Sequence, residues 1–131
     1  MAARRLQTAG ALLLATGIAI GAIGAHVLKS RLPPDRIDVL QTAVLYQLVS
    51  GLGLLCVGLA LARSVATSGS RLLVAGGYML LIGALLFSGS LYLLLAGAPR
   101  LLGAVTPLGG LCLIFGWIVV AVGLLRRTDH G

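Results

Sequence analysis

Four stretches without a charged side chain limit what this chain can become. They run over residues 6–28, 39–62, 72–96 and 103–125. Each reaches or exceeds the roughly 20 residues that an α-helix needs to cross the hydrocarbon of a bilayer. Inside lipid a backbone must satisfy its own N–H and C=O groups, which leaves helices as the simple way to span. Composition closes off the soluble alternative, because 59% of the chain is hydrophobic and 10% is charged, against about 25% charge in a soluble domain. So few charges could not cover a water-exposed surface. The expected fold is an all-α membrane protein, a single membrane domain over residues 1–131 with four transmembrane helices in an antiparallel bundle.

The first run follows a basic start, Arg4 and Arg5, and so imitates a secretory leader. It is too long for a leader's apolar core of about 7–15 residues and reads as the first span. Pro33-Pro34 cannot extend that helix, and Pro34 suits the first turn of the next. Asp35 and Asp38 then lie near a helix N-terminus, where the helix dipole favours negative charge. A Ser/Thr/Gly link over 63–71 precedes the third span. Thr106-Pro107 reads as an N-cap with proline at N1 of the fourth. Trp117 lies too deep for an interfacial belt and is expected against a neighbouring helix, whereas His130 reads as a solvated tail residue.

The net charge is +7. Its carriers sit at segment ends, with no basic stripe and no interleaved aromatics, so nucleic acid is not an expected partner. Arg4, Arg5, Arg63, Arg71, Arg126 and Arg127 fall on one side, and Lys29, Arg31, Arg36 and Arg100 on the other. That excess places both termini in the cytoplasm by the positive-inside rule. The chain has no glutamate, and Asp35, Asp38 and Asp129 all lie outside the apolar runs. Proton- and cation-coupled transporters usually keep a carboxylate at membrane depth. Cys56 and Cys112 fall in opposite halves of the bilayer and read as small apolar packing residues, neither paired nor metal-binding.

Polar side chains gather in one half. Counting 1.5 Å of rise per residue from the side of the first and third loops, His26 and Thr106 lie roughly 3 Å in, Tyr92 about 6 Å, Ser90 about 9 Å, and Ser88 and Gln47 about 12 Å. Tyr46 and Ser50 share a helical face beside Gln47. Two readings follow. In one, His26, Gln47, Ser88, Ser90, Tyr92 and Thr106 line a shallow pocket for a small ligand or a lipid headgroup, with His26 its titratable centre. In the other, favoured, they hydrogen-bond helix to helix. Gly17, Gly21 and Ala25, four apart, with Gly24, Gly89, Gly109 and Gly110, are expected where helices approach closely. No catalytic residue, metal or cofactor is expected. Ser88 or Ser90 with His26 lacks an acidic third member and a nucleophile elbow, and a two-histidine haem site would need a dimer.

The residues 21–28 (Gly-Ala-Ile-Gly-Ala-His-Val-Leu), Gln41-Thr42-Ala43 with Tyr46-Gln47, Phe87-Ser88-Gly89-Ser90-Leu91-Tyr92, Thr106-Pro107-Leu108-Gly109-Gly110 and Gly116-Trp117 resemble one family, in order and over nearly the whole chain. It is the small bacterial inner-membrane family called domain of unknown function 423, or uncharacterised protein family 0382. The resemblance implies a multi-pass plasma-membrane protein of about four helices and implies no established activity. Where members often carry a histidine three residues after the Tyr-Gln pair, this chain has Ser50. The expected function is non-enzymatic: an accessory or lipid-associated bundle whose partners are membrane lipids, another membrane protein or a second copy of itself. The alternative is a small transporter or channel with its pocket open outward.

Overall fold

The computed structural model describes residues 1–63 and 67–128. The reading of His130 and Asp129 lies outside them. Four helices make up the architecture: α1 Ala2–His26, α2 Pro34–Ala62, α3 Ser68–Leu95 and α4 Val105–Thr128. All four are long and apolar enough to cross a membrane. Short 3-10 turns, Leu28–Ser30 and Arg100–Ala104, sit in the first and third connections. The helices alternate in direction, so the first and third connections share one end of the bundle and the chain termini share the other.

Local chemistry sets the ends of these helices. Pro33 is extended, with φ −64° and ψ 156°, and Pro34 opens α2 with Asp35 in its first turn. Thr67 caps α3 in a reciprocal box, accepting from Ser70 N at 3.3 Å while Ser70 Oγ accepts from Thr67 N at 3.4 Å. That box starts α3 at Ser68, inside the link expected over 63–71. At the other end of α3, Gly97 has φ +95°. Its N–H bonds Leu94 O at 3.2 Å and Ala98 N–H bonds Leu93 O at 3.0 Å, a Schellman ending with Pro99 just beyond. The start of α4 corrects the sequence reading. The 3-10 turn runs directly into a helix that begins at Val105, so Thr106 is not its N-cap. Pro107 is tolerated in that first turn because its missing N–H is one of the four without an intrahelical acceptor.

Glycines spaced seven apart bring the helices together in pairs. They are Gly10, Gly17 and Gly24 in α1, Gly51 and Gly58 in α2, Gly69, Gly76 and Gly83 in α3, and Gly109, Gly116 and Gly123 in α4. A Cβ at Gly10 would stand 2.6 Å from Gly51 O, one at Gly69 2.7 Å from Gly123 O, and one at Gly76 3.0 Å from Gly116 O. Backbone therefore meets backbone along α1–α2 and along α3–α4. A seven-residue repeat holds one face toward a partner, as in a coiled coil, and glycine lets that partner come closest. Gly89, expected at a packing face, stands apart: a Cβ there would meet nothing within 4 Å.

The two hairpins join along α2 and α3. Leu6, Leu54, Leu73 and Leu80 are fully buried at this junction. Leu6 reaches α3, where its Cδ1 lies 2.6 Å from where a Gly77 Cβ would be, and Trp117 of α4 reaches α2 at Gly53 in the same way. Trp117 thus packs on a neighbouring helix. Two arginines tie the ends. Arg36 donates to Leu94 O and Leu95 O at 3.3 and 3.1 Å, and Arg127 donates to Ala60 O at 3.1 Å. Each sets a cation on the last carbonyls of another helix, the negative end of its dipole.

Gly109 and Gly89 separate packing from propensity. Gly109→Ala presses a methyl onto the Phe87 backbone and is expected to cost about 1–3 kcal/mol. Gly89→Ala meets nothing and is expected to stabilise by up to about 1 kcal/mol. Unfolding in mixed detergent, followed by circular dichroism, measures both.

Candidate functional site

The polar residues singled out in the sequence fall into two groups, because a helix turns by about 100° per residue. Ser88 and Tyr92, four apart, face α2, while Phe87 and Ser90, three apart, face α4. In the first group Tyr92 OH donates to Gln47 Oε1 at 2.6 Å. Gln47 Nε2 donates to Leu13 O at 2.9 Å and to Thr16 Oγ1 at 2.8 Å, and Thr16 donates to Leu12 O at 2.7 Å. One chain of hydrogen bonds thus crosses α3, α2 and α1. Ser88 Oγ adds a bond to Ala43 O at 2.7 Å. Gly17 lies beside the amide and makes room for Leu48, whose Cδ2 would stand 2.8 Å from a Cβ there.

The second group joins α3 to α4. Ser90 Oγ donates to Phe87 O at 2.9 Å, which leaves Thr106 Oγ1 as donor in the 2.6 Å contact with Ser90. His26 belongs to neither group. It ends α1, is exposed, and lines none of the three cavities described here. Ser88 Oγ and Ser90 Oγ are committed to backbone carbonyls, and every enclosed side-chain nitrogen and oxygen among the described residues has a partner. Cys112 Sγ contacts Met79 O at 3.3 Å, and Cys56 is exposed; both are free thiols.

Three cavities flank this framework. One of about 240 Å³ lies between α1, α2 and α3, walled by Thr16, Gln47, Ser88, Gly89 and Tyr92; its polar walls are the hydrogen-bonded groups just described. One of about 340 Å³ runs between α1 and α2 beside Gly21, Gly24 and Ala25, with Lys29 and Gln41 on its rim. The third, about 220 Å³, lies between α2, α3 and α4 and is walled by Tyr46, Ser50, Phe87 and Trp117. The Tyr46 and Phe87 rings stand 4.8 Å apart, tilted by 55°. Tyr46 and Ser50 do share a face, but it looks toward α4, whereas Gln47 looks toward α1.

Thr16 and Arg36 were not among the sequence candidates. A threonine midway along an otherwise apolar span was the available signal for Thr16. Nothing in the sequence distinguishes Arg36 from the other loop cations.

Fold and site define a multi-pass membrane protein in which Gln47, Ser88 and Ser90 bond helix to helix. The chain belongs to the family described as "Protein of unknown function (DUF423)", whose model matches residues 20–110. It is 38% identical over 117 residues to a UPF0382 membrane protein of Staphylococcus epidermidis, covering 89% of this chain and 92% of that one. To the UPF0382 membrane protein YwdK of Bacillus subtilis it is 37% identical, covering 89% of this chain and 93% of that protein. To the UPF0382 inner membrane protein YgdD of Escherichia coli it is 36% identical, covering 87% and 84%. No solved structure matches the chain.

The Tyr92–Gln47 bond is measurable as a coupling. Hydrogen bonds between membrane helices average about 0.6 kcal/mol and reach about 1.7. Tyr92→Phe is expected to cost about 1 kcal/mol and Gln47→Leu about 2, with a coupling of about 0.6–1.7 in the double-mutant cycle. Reversible unfolding in detergent gives all three values.

Proposed function

We propose that this protein is a non-enzymatic, lipid-associated bundle that holds an anionic phospholipid in the groove between α1 and α2. The observation behind this reading is the cavity of about 340 Å³ with Lys29 on its rim. Gly21 and Gly24 line it on α1, with Val44 and Leu40 of α2 packed directly over them, where a Cβ would stand 3.3 Å from Val44 Cγ1 and 2.7 Å from Leu40 Cδ2. An acyl chain fits such an apolar trough. Lys29 follows α1 in the turn Leu28–Ser30, at the depth where a lipid phosphate lies, and Gln41 offers amide donors beside it. A basic residue near an anionic surface contributes about 1 kcal/mol.

The committed hydroxyls of Ser88 and Ser90, and the exposure of His26 at the end of α1, support a role without catalysis. A solute pathway would need polar walls with groups to spare, and those around Gln47 are engaged with one another. Both termini are assigned to the cytoplasm, from the arginines at the terminal end of the bundle.

Native mass spectrometry after extraction in mild detergent tests the lipid. Wild type is expected to retain an anionic phospholipid, Lys29→Ala to retain it about fivefold less, and Gly21→Leu to lose it by filling the trough. Equal retention in all three proteins overturns the reading. For orientation, an alkaline phosphatase fused after residue 128 is expected to be inactive and a fluorescent protein there bright; the opposite pair inverts the assignment.

A further inference from the structure

The cavity of about 220 Å³ differs from the others in what its walls leave unused. Ser50 is 1% exposed as a residue and lines this cavity. Its Oγ is not among the fully enclosed oxygens, which all have partners, and it is hydrogen-bonded to no described residue. Serine in a helix commonly returns its proton to the carbonyl four residues back, and Ser50 does not. Tyr46 OH and Trp117 Nε1–H, from the same walls, also have no partner among the described residues. An unpaired hydroxyl in an apolar medium costs roughly 1–3 kcal/mol. The Gln47 group shows that this bundle pairs its deep polar side chains elsewhere.

Depth and wall chemistry narrow the occupant. Ser50 lies roughly 24 Å along α2 from Pro34, near the middle of the helix, and Trp117 is equally central in α4. A water-soluble ligand does not reach that depth, and a phospholipid's ester carbonyls stay near the interface. The ligand therefore arrives through the hydrocarbon. Three aromatic rings, those of Tyr46, Phe87 and Trp117, suit a flat ring. Indole N–H can only donate, so the ring must carry acceptors. We propose that this cavity binds the ring of a lipid-soluble quinone, with Ser50 donating to a ring carbonyl, Trp117 available as a second donor, and the tail running into lipid beside Ile114. The site is separate from the α1–α2 groove and does not depend on phospholipid binding there.

Trp117 is the single tryptophan of the chain, so its fluorescence reports on this wall alone. Purified protein in detergent is titrated with a decyl-tailed benzoquinone. Wild type is expected to show saturable quenching. Ser50→Ala is expected to weaken binding about fivefold, the value of one hydrogen bond. A Cβ at Gly110 would stand 3.6 Å from the Phe87 ring, an ordinary contact, so Gly110→Val fills the cavity and should abolish the saturable phase with helical content intact. If that variant unfolds, Ser50→Ala decides, since it removes one oxygen and little else. Quenching that only rises linearly with quinone, or curves for wild type and Ser50→Ala that coincide, overturns the proposal. So does a native mass spectrum in which wild type takes up no quinone and Gly110→Val loses phospholipid instead. Lys29→Ala should leave the quenching curve unchanged, which separates failure here from failure of the phospholipid reading.

Discussion

Everything in this bundle rests on backbone meeting backbone. Between lipid and leucine there is no hydrophobic gain to drive helices together, so packing contacts and hydrogen bonds must do it. Glycine at every seventh residue lets α1 settle onto α2 and α3 onto α4 until carbonyl oxygens lie where side chains would otherwise be. Large side chains can then point outward. Leu12, Ile18, Leu52, Ile82, Leu111 and Ile118 are all more than half exposed, which suits a lipid solvent and would be ruinous in water.

The close approach also decides where polar chemistry is possible. Gly17 lets Leu48 pack against α1 beside the Gln47 amide, which reaches the carbonyl of Leu13, and Gly109 brings α4 near enough for Thr106 to meet Ser90. Off the register of the glycine repeat, space remains. Gly89 faces a cavity and touches nothing, and Ser50 faces another with its hydroxyl unspent.

Much of the fold was legible in the sequence, because charge-free runs of helical length have one solution in a bilayer. The four helices, their alternation, Pro34 at the head of α2 and Trp117 against a neighbour follow from residue type and order. The site was legible only in part. Depth counting brings Gln47, Ser88 and Tyr92 to one level, but depth says nothing about rotation. Rotation about α3 separates Ser90 from Ser88, and rotation about α1 leaves His26 exposed at its end. The packing glycines were read at a spacing of four, through Gly17, Gly21 and Ala25. The repeat that seals the hairpins has a spacing of seven, and it is visible in the sequence once all four helices are aligned. The cap that Arg36 places on α3 is a long-range meeting of two ends, which no local pattern encodes.

The two kinds of contact differ in when they can form. Glycine seals α1 to α2 and α3 to α4 within hairpins, and Gln47 with Thr16, and Ser90 with Thr106, are likewise satisfied inside one hairpin. Ser88, Tyr92, Arg36 and Arg127 find their partners only in the other hairpin. The first hairpin therefore enters the bilayer nearly complete, whereas the second carries two unmated hydroxyls until it docks. A second hairpin left alone in the membrane would therefore keep the hydroxyls of Ser88 and Tyr92 without the partners that α2 supplies.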